Sequence, residues 1–134
     1  MIRVLNDMPV GVVGLEAIDD VEEEDYRDVL VPAVESAIAE HGRVRLVYVL
    51  GPDFDEYERE AVWEDLKLGA RHASSFERIA VVTDAPWVGP AMRVFSILLP
   101  GQARAFPLAE RVAATQWAAT GDLPGPGDVG QSRR

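Results

Sequence analysis

Two segments of the chain, residues 44–50 (VRLVYVL) and 78–84 (RIAVVTD), carry apolar side chains on consecutive positions rather than on alternate ones. Successive side chains of a strand point to opposite faces, so an unbroken apolar run marks a strand covered on both sides. Arg45 interrupts the first run. Sheets of such strands are parallel and lie under helices, and the intervening sequence has the matching period. Across residues 21–41 apolar side chains recur at Tyr26, Val29 or Leu30, Ala33, Ala37 and Ile38, one face of a helix. Asp20 and Glu23 have capping-box spacing, and Gly42 offers a left-handed stop. Pro32 has no N–H for the Asp28 carbonyl, which predicts a kink or two abutting helices.

The remaining elements follow the same logic. Residues 2–5 and 10–17, separated by Asn6, Asp7 and Pro9, read as a β-hairpin. GPDF after residue 50 reads as a loop, with Asp55 and Glu58 as a second capping box ahead of a helix carrying Val62, Leu66, Gly69, Ala73 and Phe76. Residues 87–99 form a very apolar third helix ended by Pro100 and Gly101; a short strand over 103–106 and a helix over 108–120 complete the chain. The order β-β-α-β-α-β-α-β-α predicts an α/β domain. Its mostly parallel sheet of four to five strands has right-handed crossovers and four main helices. One domain over residues 1–120 is expected, with the Gly/Pro-rich tail 121–134 disordered.

Charge narrows the partners. With 23 acids against 13 Lys and Arg, the formal charge is −10, and a chain without a basic face is a poor nucleic-acid binder. The absence of cysteine excludes disulfides and thiolate chemistry, and suits a reducing cytoplasm. No signal-peptide core and no run near the roughly 20 apolar residues of a membrane span is present. A soluble cytoplasmic protein is expected, with peripheral membrane contact as an open addition.

Several strings resemble the bacterial SpoIIAA-like proteins, small STAS-type domains related in shape to CRAL-TRIO lipid carriers. They are EEEDYRDVLVPAVESAIAEHGRVRLVYVLG, WEDLKLGARHASSFERIAVVTDAPW, and the closing Phe106, Ala113 and Trp117. The shared anchors are Asp25-Tyr26, Trp63-Glu64-Asp65, His72, Phe76, the strand 80–84 and Trp87. The resemblance implies a STAS-like sheet, a homodimer, and a non-catalytic module associated with apolar ligands or membranes. The anti-sigma-factor antagonists after which the family is named carry an Asp-Ser-Ser-Gly string, whose serine is phosphorylated at the helix following the central strand. The matching stretch here, GPDFDEYERE, has no Ser or Thr, so a protein-interaction regulator of this type would lack the phosphate switch.

No enzyme signature emerges. Asp84 ends a buried parallel strand, where α/β sheets gather ligand-binding residues, but a helix cap explains it with local backbone alone. A receiver domain needs a lysine after its last strand, and the single lysine, Lys67, is mid-helix. His72 lacks an orienting carboxylate at a telling spacing, and a structural histidine is the favoured reading. An enzyme using Asp84 and His72 is the remote alternative. His41 suits the carbonyl end of the first helix. Two distant histidines without cysteine do not make a zinc site, and neither a metal nor a cofactor is expected. Ser74 and Ser75 lack a nucleophile-elbow context, and the acids at 53–58 lack the calcium-loop glycine.

The third helix carries the functional expectation. In WVGPAMRVFSILLP only Arg93 and Ser96 are polar, whereas a surface helix normally shows a polar half. Core burial, a dimer partner, an apolar ligand or a membrane would each cover it. Residues 1–65 hold 18 acids and 5 bases, while residues 66–134 hold 8 bases and 5 acids, so the half with this helix would not be repelled by anionic lipid. The expected function is a non-catalytic binding or regulatory module, with an apolar small molecule or lipid between the second and third long helices. The expected lining is Trp63, Leu66, Trp87, Met92 and Phe95, with Asp84 at the strand end.

Overall fold

The computed structural model describes residues 1–57, 73–86, 88–98 and 101–122. Its five strands are β1 (Ile2–Leu5), β2 (Val13–Val21), β3 (Val44–Tyr57), β4 (Phe76–Val82) and β5 (Gln102–Phe106). A helical turn α1 (Glu23–Asp25) and a π-helical segment (Tyr26–Leu30) lead into α2 (Val31–His41). Helix α3 (Val88–Leu98) joins β4 to β5, and α4 (Arg111–Thr120) follows a 3-10 turn over Leu108–Glu110. The sheet order is β1-β2-β3-β4-β5. The hairpin partner β1 is antiparallel to β2, and the other three pairings are parallel.

This order decides which face each helix covers. Every parallel strand is added on the same side of its predecessor, so the right-handed β2–β3 and β4–β5 connections pass over one face. On that face Tyr26, Leu30, Val34 and Ala37, from the π segment and α2, join Val88 of α3. They pack against Leu15, Leu46, Tyr48 and Ile79 of the sheet. Among the described residues no strand follows β5, and α4 folds back beneath the opposite face. There Ala114, Trp117 and Ala118 meet Val47, Val49, Ala80, Val82 and Phe106. Strands β3 and β4 thus carry buried side chains on both faces, as their unbroken apolar runs require.

Pro32 has the expected consequence. With no N–H at position 32, the turn before it widens, and the Val31 N–H donates to the Tyr26 carbonyl five residues back. Gly42, at φ 76°, ends α2 and donates to the Ile38 carbonyl at 2.8 Å.

Three local expectations are corrected. Residues 51–57 are strand rather than loop: Phe54, Glu56 and Tyr57 of β3 pair with Asp19, Asp20 and Val21. Turn-forming residues are overridden here because β2 continues to Val21 and offers an open ladder. Pro52 falls where the register shifts, between the pairs Ala17–Leu50 and Asp19–Phe54, so no ladder donor is lost. Asp19 takes the left-handed φ of 55° at the same irregularity. The Asp20–Glu23 capping box does not form, since Asp20 belongs to β2; Asp25 instead accepts from the Glu22 N–H at 2.9 Å. Asp55 lies within strand β3 rather than at a helix start; Glu58 and the expected second long helix over 58–72 lie outside the described residues, as does the tail from residue 123.

Candidate functional site

The parallel strands end in a corner tied by short polar contacts. The Thr83 N–H donates to the Phe106 carbonyl at 2.8 Å, and the Thr83 hydroxyl accepts from the Ala85 N–H at 3.1 Å. The exposed Asp84 carboxylate accepts from the Leu108 N–H at 3.0 Å. That N–H opens the 3-10 turn before α4, so Asp84 caps the helix after β5 and clasps the ends of β4 and β5.

Helix α3 starts from this corner. Val88 is buried at 3% exposure, and Met92, one turn on, is half-buried against the same core. On the opposite side Arg93 is exposed and Ile97 is 81% exposed. Nine residues at 100° each place Ile97 half a revolution from Val88, so the helix buries one face in its own chain and presents an isoleucine outward. The Ser96 hydroxyl is spent locally, donating to the Arg93 carbonyl at 2.9 Å. Of the six expected site residues, Asp84 and Met92 flank the start of α3 from strand end and helix. Phe95 lies on the α3 backbone. Trp63, Leu66 and Trp87 lie outside the described residues, as does His72.

Two further features escaped the sequence reading. An open cleft of about 300 Å³ lies at the other end of the sheet, between α2 and the β1–β2 hairpin. Val4, Leu5, Val12, Ala33, Ala37 and His41 are among its lining residues. It forms from segments far apart in sequence, so no local pattern announces it. The second feature is a charged knot at the amino ends of β3 and β4. Glu77 receives Arg45 at 2.9 Å, Arg43 at 2.8 Å and Arg78 at 3.3 Å. Arg45 and Arg78 also donate to the Ala119 and Ala118 carbonyls at 3.0 and 3.1 Å, capping the C-terminus of α4, where the helix dipole favours cations. The lone arginine in the 44–50 run was its signal: a cation in a buried strand needs a partner.

The Arg45 hydrogen bond holds the Glu77 carboxyl below the usual carboxylate range; burial opposes this, and the charges of Arg45, Arg78 and Arg43 reinforce it. A depressed folded-state pKa stabilises the fold fully above the unfolded value, and that stabilisation disappears as pH falls through the folded value. Glu77→Gln should therefore cost about 1 kcal/mol near pH 7, discounted for partial solvent screening. Its deficit relative to the parent should shrink below about pH 4. Urea unfolding of both proteins across pH 3–7 checks this; a deficit constant with pH would contradict it.

Among the described residues no group of three or more His, Asp or Glu side chains is placed to hold a metal ion. No helix among them is long and apolar enough to cross a membrane.

A family model described as SpoIIAA-like matches residues 12–119. The fold is also similar to the crystal structure of an uncharacterised protein of the DUF3478 family, with a SpoIIAA-like fold, from Shewanella loihica PV-4. That similarity has a TM-score of 0.71 at 25% identity, covering 87% of this chain and 93% of the other. No curated protein matches.

Proposed function

The chain belongs to the SpoIIAA-like family, and from that premise we propose that it is a non-catalytic binding module whose α3 face receives an apolar small molecule or lipid. The family fold supports a binding or regulatory role in general. The narrower reading is carried by one observation, the outward-facing Ile97 on a helix that buries Val88 in its own chain. Helix α3 has one charged residue, Arg93, and burying an exposed isoleucine gains roughly 1.5–3 kcal/mol. Asp84 acts here by clasping the corner from which α3 departs, and Met92, with Phe95, Trp63, Leu66 and Trp87, supplies apolar lining. Arg93 beside Ile97 suits the acidic headgroups of a membrane surface, which gives the module a peripheral membrane location in a cytoplasmic protein.

Native mass spectrometry of the protein purified from its own cells tests this directly. A co-purifying apolar adduct on the chain, alone or as a homodimer, is the expected result. A lipid-free dimer would assign the α3 face to a second copy instead. Ile97→Asp should reduce adduct occupancy or vesicle retention about tenfold. Its unfolding free energy should stay within about 0.5 kcal/mol of the parent, because the site is on the surface. Equal retention by parent and variant would remove α3 from the binding surface.

A further inference from the structure

The cleft between α2 and the β1–β2 hairpin shares no lining residue with the α3 surface, and its walls define an occupant. Ala33, Ser36, Ala37, Glu40 and His41 of α2 face it, spaced three and four apart along one side of the helix. Val4, Leu5, Val12 and Val13 of the hairpin form the opposite wall. The side chains of Ala33, Ser36 and Ala37 are short, and an open volume of about 300 Å³ remains between the two walls. That is the size of a compact small-molecule site. Val4 is 49% exposed, apolar surface that such a molecule would cover.

The charge on these walls is one-sided. Among the described residues that line the cleft, Glu40 supplies a carboxylate and none is lysine or arginine. Glu40 Oε1 lies 3.5 Å from His41 Nε2, so the two side chains stand together on the rim. Both belong to the last turn of α2, where the helix dipole presents its negative end. The formal charge of −10 adds a field of the same sign. We propose that the cleft binds a small amine. Its compact aromatic or alkyl body lies between Ala33 and Ala37 on one side and Val4 and Val12 on the other, and its ammonium group meets Glu40. An anion of the same shape would face Glu40 and the helix end with no lysine or arginine to receive it. This site lies at the opposite end of the sheet from α3 and stands independently of the reading given to that helix.

Phenethylamine, phenylethanol and phenylpropanoate share one aromatic body and differ in the charge of the head. Each is titrated into nitrogen-15-labelled protein and followed by the amide shifts of Gly11, Gly14, Ala37 and His41. The amine should bind about fivefold more tightly than the alcohol, and the carboxylate more weakly than either. Glu40→Gln should bring the amine down to the affinity of the alcohol and leave the alcohol unchanged. Ser36→Tyr puts a ring into the cleft and should weaken amine and alcohol about tenfold. Its Tm should hold, because Ser36 is exposed. If Ser36→Tyr failed to fold, Glu40→Gln would still decide the matter. Ile97→Asp should leave amine binding unchanged. The proposal is overturned if the parent binds no amine, if the three probes bind alike, or if Glu40→Gln keeps the preference for the amine. Loss of amine binding in Ile97→Asp would overturn it too, by placing the amine on α3.

Discussion

Gly101→Ala should lower Tm by roughly 10 °C or more, the signature of a destabilisation of about 3 kcal/mol in a chain of this size. Gly101 sits just before β5, where the chain passes against the start of β4. A methyl group there would land on the carbonyl oxygens of Phe76 and Glu77 and 3.0 Å from the Glu77 carbonyl carbon. Those atoms are backbone and cannot rotate away. Phe76 is paired with Val44 across the sheet, and the Glu77 side chain is held by three arginines. Relief requires β5 to move off β4, which breaks the Arg78–Gln102 and Ile79–Ala103 pairings. Gly89→Ala in α3 is the matched control. A Cβ there meets nothing within 4 Å, and alanine is the better helix former, so Tm should hold or rise. Thermal unfolding by circular dichroism checks both; a Gly101→Ala protein as stable as the parent would refute the close packing of β5 on β4.

Trp117→Ala should cost about 3–5 kcal/mol, the range for emptying a buried tryptophan site. Trp117 is 2% exposed, with its ring centroid 5.8 Å from that of Phe106 at an interplanar angle of 49°. The Arg104 guanidinium lies 5.6 Å from the Phe106 ring and 5.8 Å from Trp117, within cation–π range. Ala114 and Ala118 bring α4 close to the sheet, and Trp117 supplies most of the buried volume of that helix. Its removal should loosen α4 as a unit. The Arg45 and Arg78 caps at the helix end would then lose their geometry, and amide exchange across residues 111–120 should accelerate along with the fall in global stability. Trp117→Phe should recover part of the loss. A variant that lost stability while keeping α4 amides protected would show that the helix is held by its caps rather than by its tryptophan.

Much of the fold was legible because its signals are local. The runs at 44–50 and 78–84 announce buried strands, the spacing from Tyr26 to Ile38 announces a helix, and Pro32 and Gly42 mark its irregularity and end. The errors were also local in kind. Gly51, Pro52 and Asp53 read as a loop, yet β2 extends far enough to pair with the residues beyond them. Asp20 has the spacing of a cap, yet the ladder with β3 claims its backbone first. Propensity loses wherever a neighbouring strand offers unpaired donors and acceptors, and that neighbour is set by topology.

The candidate site divides in the same way. The apolar character of α3 is a property of its residues, readable without coordinates. Which of those residues face outward depends on the angle at which the helix leaves the corner held by Asp84, and that angle placed Val88 inward and Ile97 outward. Sequence could mark Arg45 as a cation in a buried strand, but it could not name Glu77 as its partner or the α4 carbonyls as its second acceptor. It placed Tyr26 on the core-facing side of a helix, yet only the packed core left the phenolic oxygen without a partner among the described residues. Periodicity and turn chemistry act between residues a few positions apart and so fix element type and order. Pairing of charges, satisfaction of buried polar atoms and choice of face depend on residues that meet only when the sheet assembles, and these the tertiary structure alone decided.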